Sequence, residues 1–168
     1  MKDTRVGSGF DIHRLAAGVP FKLGGVKVES PVGPQGHSDG DVLLHALCDA
    51  MLGAAGLGDI GDYFSDSDPR WKGVESRLFV ERANEKLLEG GFRVENVDAT
   101  VFLETPKLGR LKANVRGAVA SILGIASDRV NVKAKTMEGL GPIGASEAVA
   151  AMVTVLVSRQ SVGVTSPD

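Results

Sequence analysis

The sequence predicts an α+β fold in which helices cover one face of a mixed β-sheet. Three observations predict it. Strand-like and helix-like stretches alternate along the chain, and the first and last parts read as strands. An early Gly24-Gly25 pair between short apolar runs marks a tight hairpin. Glycine is frequent, at 22 of 168 residues, while aromatics make up only 5%, so the core is built from Ala, Val and Leu. Such small residues suit closely stacked sheets or a subunit interface.

The elements follow in order. Arg5 to Phe10 reads as a strand that enters a loop over Asp11-Ile12-His13-Arg14. Phe21–Leu23 and Val26–Val28 flank the hairpin turn, and Ser30–Gly36, with two prolines and two glycines, reads as a loop. A helix is expected from Ser38 or Asp39 to Ala55, with an acidic start and Gly56 as its stop. Gly58–Gly73 is a long polar loop. Glu75–Glu89 is an amphipathic helix with Leu78, Phe79, Ala83, Leu87 and Leu88 inward, ended by Gly90-Gly91. Phe92–Leu103 is a strand, Leu108–Leu123 a third helix, and Val130–Thr136 a half-buried strand. Ala148–Val157 fits helix or strand, and its β-branched residues favour strand. No repeat or linker interrupts the body. One domain over residues 1–168 is expected, with 158–168 as a frayed tail.

Composition excludes several classes. Hydrophobic residues at 43% and charged residues at 24% are those of a folded globular protein. A net charge of -2 provides no global basic field for nucleic acid or anionic membrane. No apolar run approaches a membrane span, and the first residues lack the apolar core of a secretory signal. A single cysteine, Cys48, rules out an internal disulfide or a multi-cysteine metal site. A reducing, bacterial cytoplasm is the expected location.

Three polar groups are candidates for chemistry. The first lies on the helix 39–55, which is apolar nearly all round except for Asp41, His45 and Asp49 at i, i+4, i+8. That stripe is either a solvated edge or a histidine ligand with carboxylates to orient it. Asp11 and His13 alternate at a strand end and face one side, and together with His45 they form a three-donor set suited to zinc. The second is His37-Ser38 before the helix, which fits either a phosphate contact or an ordinary cap. The third is Lys133-Ala134-Lys135-Thr136-Met137-Glu138, where a carboxylate beside lysines and a hydroxyl suits either magnesium with phosphates or surface ion pairing. Asp59, Asp62, Asp66 and Asp68 crowd one loop, as turn residues or as partners for sugar hydroxyls. Met137 and Cys48 read as packing residues.

Gly9-Phe10-Asp11-Ile12-His13, then Gly36-His37-Ser38-Asp39-Gly40-Asp41-Val42 with His45-Ala46-Leu47, strongly resemble the 2-C-methyl-D-erythritol 2,4-cyclodiphosphate synthase family. The resemblance continues through Gly58-Asp59-Ile60-Gly61, Phe64 to Pro69, Asn96-Val97-Asp98, Pro106-Lys107-Leu108 and Val130 to Thr136, covering Arg5 to about Val157. It implies a homotrimer with closely packed sheets and three active sites, each between neighbouring subunits. It also implies a cyclising phosphorus–oxygen lyase of non-mevalonate isoprenoid biosynthesis. The small-molecule substrate, a cytidine diphosphate derivative, is 4-diphosphocytidyl-2-C-methyl-D-erythritol 2-phosphate; the products are the cyclic diphosphate and CMP. Carried over by motif, Asp11, His13 and His45 are the zinc ligands, one Zn2+ per subunit. Glu138 holds Mg2+ or Mn2+ with the substrate. His37 and Thr136 are the catalytic positions. Asp11, His13, His37 and Ser38 contact phosphate, while Asp59, Ile60, Gly61, Phe64, Ser65, Asp66, Ser67 and Asp68 surround the methylerythritol phosphate. Leu103, Glu104, Thr105, Pro106, Lys107, Leu108 and Gly109, with Lys135, Thr136, Met137 and Glu138, contact the cytidine and the diphosphate.

Two departures stand out. The family's arginine and acidic positions on the trimer axis are Ala145 and Met152 here, which predicts weaker binding of isoprenoid diphosphates there. Leu103-Glu104-Thr105 replaces a more common Ala-Gln-Ala pattern near the cytidine. Two rivals share parts of the same reading. A zinc phosphoesterase would use the same ligands to activate water, and a non-catalytic trimeric binding protein would need none of them.

Overall fold

The computed structural model describes residues 2–65 and 67–160. Exposed and inward positions alternate along the N-terminal stretch, and it forms one long strand, β1 (Lys2–Ala17). Asp11–Arg14, expected as a loop, therefore lie inside β1, where His13 pairs with Val149 and Arg14 with Ala148. The Gly24-Gly25 turn joins β2 (Phe21–Leu23) to β3 (Val26–Val28), as its dipeptide predicts. The stretch 30–36 is not all loop: β4 (Val32–Pro34) pairs antiparallel with the end of β1.

Then come α1 (Val42–Ala55), α2 (Ile60–Tyr63), α3 (Arg77–Glu89), β5 (Arg93–Phe102), α4 (Lys112–Leu123), β6 (Val130–Lys135), α5 (Gly141–Gly144) and β7 (Ala148–Gln160). The polar loop 58–73 holds α2 and a 3-10 turn over Pro69–Trp71, each started by an aspartate cap, Asp59 and Asp68. The third helix begins at Lys112, four residues later than its apolar pattern suggests. In α3 the inward residues are Phe79, Val80, Ala83 and Leu87; Leu88, expected inward, is 50% exposed because it lies one step round from Leu87.

The five-stranded sheet has the order β4-β1-β7-β5-β6, antiparallel except for β5 and β6, which α4 joins in parallel. β7 is held on both sides, by β1 and by β5, which decides the ambiguous last segment as strand. Pairing of Lys2 with Gln160 carries β7 through Ser158–Gln160, the first part of the expected tail; residues 161–168 lie outside the described residues. Helix α1 packs on β1 and β7 and is buried along nearly its whole circumference. The opposite face of the sheet leaves Val6, Phe10, Ile12 and Met152 between 47% and 64% exposed. Among the described residues, no helix is long and apolar enough to cross a membrane.

Candidate metal centre and active site

Close approach of α1 to β1 creates the site. Gly7 and Gly9 point at the helix, and a β-carbon on either would meet a main-chain oxygen, at 2.0 Å from Ala50 and 2.1 Å from Ala46. Only a strand without side chains there lets the helix lie this low. Asp11 and His13 follow on the same face of β1, and His45 comes down to them from α1.

Asp41 fixes where that helix begins. It is not part of a polar stripe with His45 and Asp49 but a fully buried N-cap. Its carboxylate accepts N–H bonds from Leu44 (3.2 Å), Gly24 (2.9 Å) and Gly25 (2.7 Å), tying the β2–β3 turn to the start of α1. Burial pushes its pKa up, and the three backbone donors oppose that push. Asp49 serves a third purpose. It accepts the Ile60 N–H at 2.8 Å and so holds α2 against α1.

Three donor atoms converge. Asp11 Oδ2 lies 3.0 Å from His45 Nδ1 and 3.3 Å from His13 Nε2, and the two histidine nitrogens are 3.1 Å apart. A tetrahedral ion bound at about 2.0–2.1 Å holds its donors roughly 3.3 Å apart, so this trio fits one metal ion. Among the described residues, this is the group of acidic and imidazole side chains close enough to share an ion. Burial would raise the Asp11 pKa, but the bond from His45 and the two imidazole charges outweigh it and hold it down. Burial likewise would lower His45, but Asp11 raises it.

The trio opens into a cavity of about 510 Å³. His37, Ser38, Ile60, Gly61, Phe64 and Ser65, all predicted for the site, line it with Asp11, His13 and His45. Around it, Asp59 caps α2, Ser67 bonds Ser65 at 2.8 Å, and Asp68 binds the Arg70 guanidinium. Asp66 lies outside the described residues.

The other predicted residues do not reach this cavity within one chain. Leu103–Gly109 follow the end of β5 and Lys135–Glu138 the end of β6, two and three strand-to-strand steps from β1, or roughly 10 and 14 Å. There the Leu103 N–H donates to the Lys135 carbonyl (2.9 Å) and the Met137 N–H to Glu104 (3.1 Å). Thr136 donates to Glu138 at 2.7 Å, and Thr105 and Ser146 hydroxyls lie 3.3 Å apart. The Thr105–Pro106 bond is cis, and Glu138 takes a left-handed φ of 51°. Leu103 and Leu108 are buried, while Lys107 and Gly109 are exposed.

The YgbB family matches residues 4–158. The chain belongs to the YgbB family. The 2-C-methyl-D-erythritol 2,4-cyclodiphosphate synthase of Bordetella avium (strain 197N) is 52% identical over 157 residues, covering 94% of this chain and 97% of its own. The bifunctional IspDF of Campylobacter jejuni shares the fold with a TM-score of 0.92 and 39% identity over 95% of this chain, which spans 43% of that protein's length. IspF of Plasmodium falciparum, solved as a CDP complex, matches with a TM-score of 0.83 and 31% identity, over 94% of this chain and 97% of its own.

This family member also carries site residues that the sequence alone did not single out. Gln35, Trp71 and Phe79 line the cavity, with Phe64 and Phe79 ring centroids 4.5 Å apart and Phe64 and Trp71 5.2 Å apart. Phe79 reads as an ordinary inward residue of an amphipathic helix, and nothing in its spacing separates lining from core. Trp71 is the chain's one tryptophan, set in a polar loop, which is the signal that was there to be used.

Proposed function

We propose that this chain converts 4-diphosphocytidyl-2-C-methyl-D-erythritol 2-phosphate to 2-C-methyl-D-erythritol 2,4-cyclodiphosphate and CMP. The observation that carries this reading is the Asp11–His13–His45 trio at the mouth of a large cavity, in a chain 52% identical to a synthase of that product over 94% of its length. An oxygen of the 2-phosphate forms a bond to the β-phosphorus, and the bond from that phosphorus to the bridging oxygen breaks. CMP leaves with that oxygen, no water is consumed, and no covalent enzyme intermediate is needed.

Cyclisation forces two anionic phosphates together, so the site must position and neutralise them. We assign Asp11 Oδ2, His13 Nε2 and His45 Nδ1 as holders of one zinc ion, a donor set whose chemistry and spacing suit it. When bound, that ion supplies a Lewis acid to a phosphoryl oxygen. His37 and Ser38 line the cavity beside the trio and offer hydrogen-bond donors to phosphate. Phe64, Trp71 and Phe79 form an apolar wall, and Ile60, Gly61 and Ser65 complete the pocket for the methylerythritol phosphate. Glu138 is assigned to a magnesium or manganese ion carried with the diphosphate, and Thr136, bonded to it, to the catalytic end of that segment.

We further propose a homotrimer in which the Leu103–Gly109 and Lys135–Glu138 cluster of one subunit faces the zinc trio of the next. Two observations support it: the clusters stand apart within one chain, and Val6, Phe10, Ile12 and Met152 leave one sheet face apolar and exposed. The family match over residues 4–158 supports reading the chain as a single synthase domain.

Phosphorus NMR of the protein with zinc, magnesium and the cytidyl substrate tests the activity. Paired doublets of a cyclic diphosphate with equimolar CMP are expected. An acyclic product or free inorganic phosphate would instead identify a zinc phosphoesterase, and no turnover with both metals bound would identify a binding protein.

A further inference from the structure

Ser76 stands at the N-cap of α3, yet its hydroxyl makes no cap bond to that helix. Serine at this position ordinarily accepts an N–H of the first turn. Here the fully buried hydroxyl turns the other way. It donates to Asp39 Oδ1 at 2.5 Å and lies 2.8 Å from His45 Nε2 and 3.1 Å from the Ser38 hydroxyl. The segments that bring these groups together run side by side: the Gly73 N–H donates to the His37 carbonyl (2.8 Å) and the Asp39 N–H to the Val74 carbonyl (3.0 Å). Asp39 Oδ1 also accepts the Ser76 N–H at 3.1 Å, and Lys22 stands 3.6 Å from its other oxygen.

The donors and acceptors allow one ordering. A carboxylate can only accept, so the Ser76 proton goes to Asp39. With that proton committed, Ser76 Oγ faces His45 as an acceptor, and Nε2 must carry a hydrogen. Ser38, 2.9 Å from the same nitrogen, can accept a share of that hydrogen. An imidazole with its hydrogen on Nε2 presents a lone pair at Nδ1, the atom 3.0 Å from Asp11 Oδ2 and 3.1 Å from His13 Nε2. Without this partner, the Asp11 carboxylate would draw the hydrogen to Nδ1 and leave His45 in the tautomer that cannot bind metal through that nitrogen.

We propose that Asp39 and Ser76 form a positioning relay that sets the His45 tautomer and ring orientation for metal binding. The proposal rests on Asp11, His13 and His45 being the zinc ligands. Both residues act through His45 and neither touches the reacting atoms. Removing such a partner of a metal-bound histidine weakens metal binding about 10- to 100-fold.

The test compares the zinc-loaded wild-type chain with Ser76→Ala, Ser76→Thr and Asp39→Ala, each checked for folding by circular dichroism. Zinc affinity is read by transfer to a chromophoric chelator, and the His45 Nε2–H by 15N–1H correlation and its exchange with solvent. A downfield, slowly exchanging Nε2–H is expected in the wild type. In Ser76→Ala and Asp39→Ala that proton should shift and exchange faster, with zinc affinity about 10- to 100-fold lower. Ser76→Thr should restore both. Should Ser76→Ala fail to fold, Asp39→Ala carries the test, because Asp39 keeps some exposure and packs less tightly. Wild-type affinity and an unmoved His45 proton in a folded variant would overturn the relay alone. Weaker zinc with an unmoved proton and no rescue by threonine would overturn it too, leaving Ser76 a packing residue. A wild-type chain that takes up no zinc would overturn the ligand assignment and the relay with it.

Discussion

Gly9 lies against Ala46: a β-carbon on the glycine would stand 2.1 Å from the alanine's carbonyl oxygen. That contact sets the height of α1 above β1, and with it the distance from His45 to Asp11 and His13. Neither backbone has room to yield, since Gly9 sits in a paired strand and Ala46 is fully buried within α1. Gly9→Ala should therefore lift the helix. A loss of about 3 kcal/mol in urea unfolding is expected, together with zinc retention below one ion per chain. A variant as stable as the wild type, with full zinc, would show that the helix height is set elsewhere.

Asp41 carries three backbone donors from two elements. Its replacement by alanine removes a cap and leaves the Gly24 and Gly25 N–H groups without their acceptor. We expect a loss of about 3 kcal/mol or more. Faster amide exchange at Gly24 and Gly25 than in the wild type should accompany it. Unchanged exchange at those two amides would show that the turn holds without the carboxylate.

His45→Ala removes one of three donors from an otherwise complete scaffold. The variant should remain folded but retain no stoichiometric zinc by elemental analysis. Zinc at one ion per chain in that variant would move the ligand assignment away from α1.

The shared-site arrangement predicts complementation. In the proposed trimer, His45→Ala and Glu138→Ala, each inactive alone, would disable opposite halves of a site formed between neighbours. Trimers assembled from equal amounts of both should regain activity at about a quarter of the sites. No recovery in trimers shown by mass to be mixed would place both residues in the site of a single subunit.

The Asp98–Lys133 pair between β5 and β6 gives a pH dependence with a defined sign. The bond from Lys133 is the largest influence on the Asp98 carboxyl and, with Asn131, holds its pKa below the ordinary value despite slight burial. A depressed carboxyl binds fewer protons when folded than unfolded. Its contribution is therefore complete above the unfolded pKa of about 3.9 and fades as pH falls through the lower folded value. The pair is close to half exposed, so the contribution should be under about 1 kcal/mol. Melting curves of the wild type and Asp98→Asn should differ by a constant amount near neutrality and converge in acid. A gap that widens toward acid would contradict the sign.

Much of the fold was legible because it rests on short-range chemistry. The Gly24-Gly25 turn, the stop at Gly56 and the β-branched last strand each announce themselves within a few residues. Two of the errors share one cause. Asp11–Arg14 and Val32–Pro34 have loop-like compositions, and they become strand only because each meets a partner far along the chain, β7 for one and β1 for the other. Asp41, His45 and Asp49 share a helical spacing, yet one caps, one faces the ligand trio and one holds α2.

The sequence by itself determined the order of the longer helices and strands, the three donors Asp11, His13 and His45, and membership of a family whose residues recur in register. These depend on residue identity and local spacing, which a linear string records in full. Tertiary structure alone decided that Ser76 gives up its cap to meet His45, and that the Glu138 cluster does not line the cavity at the trio of its own chain. Both are matters of distance between segments tens of residues apart. Packing of α1 on β1, and the width of a five-stranded sheet, set those distances.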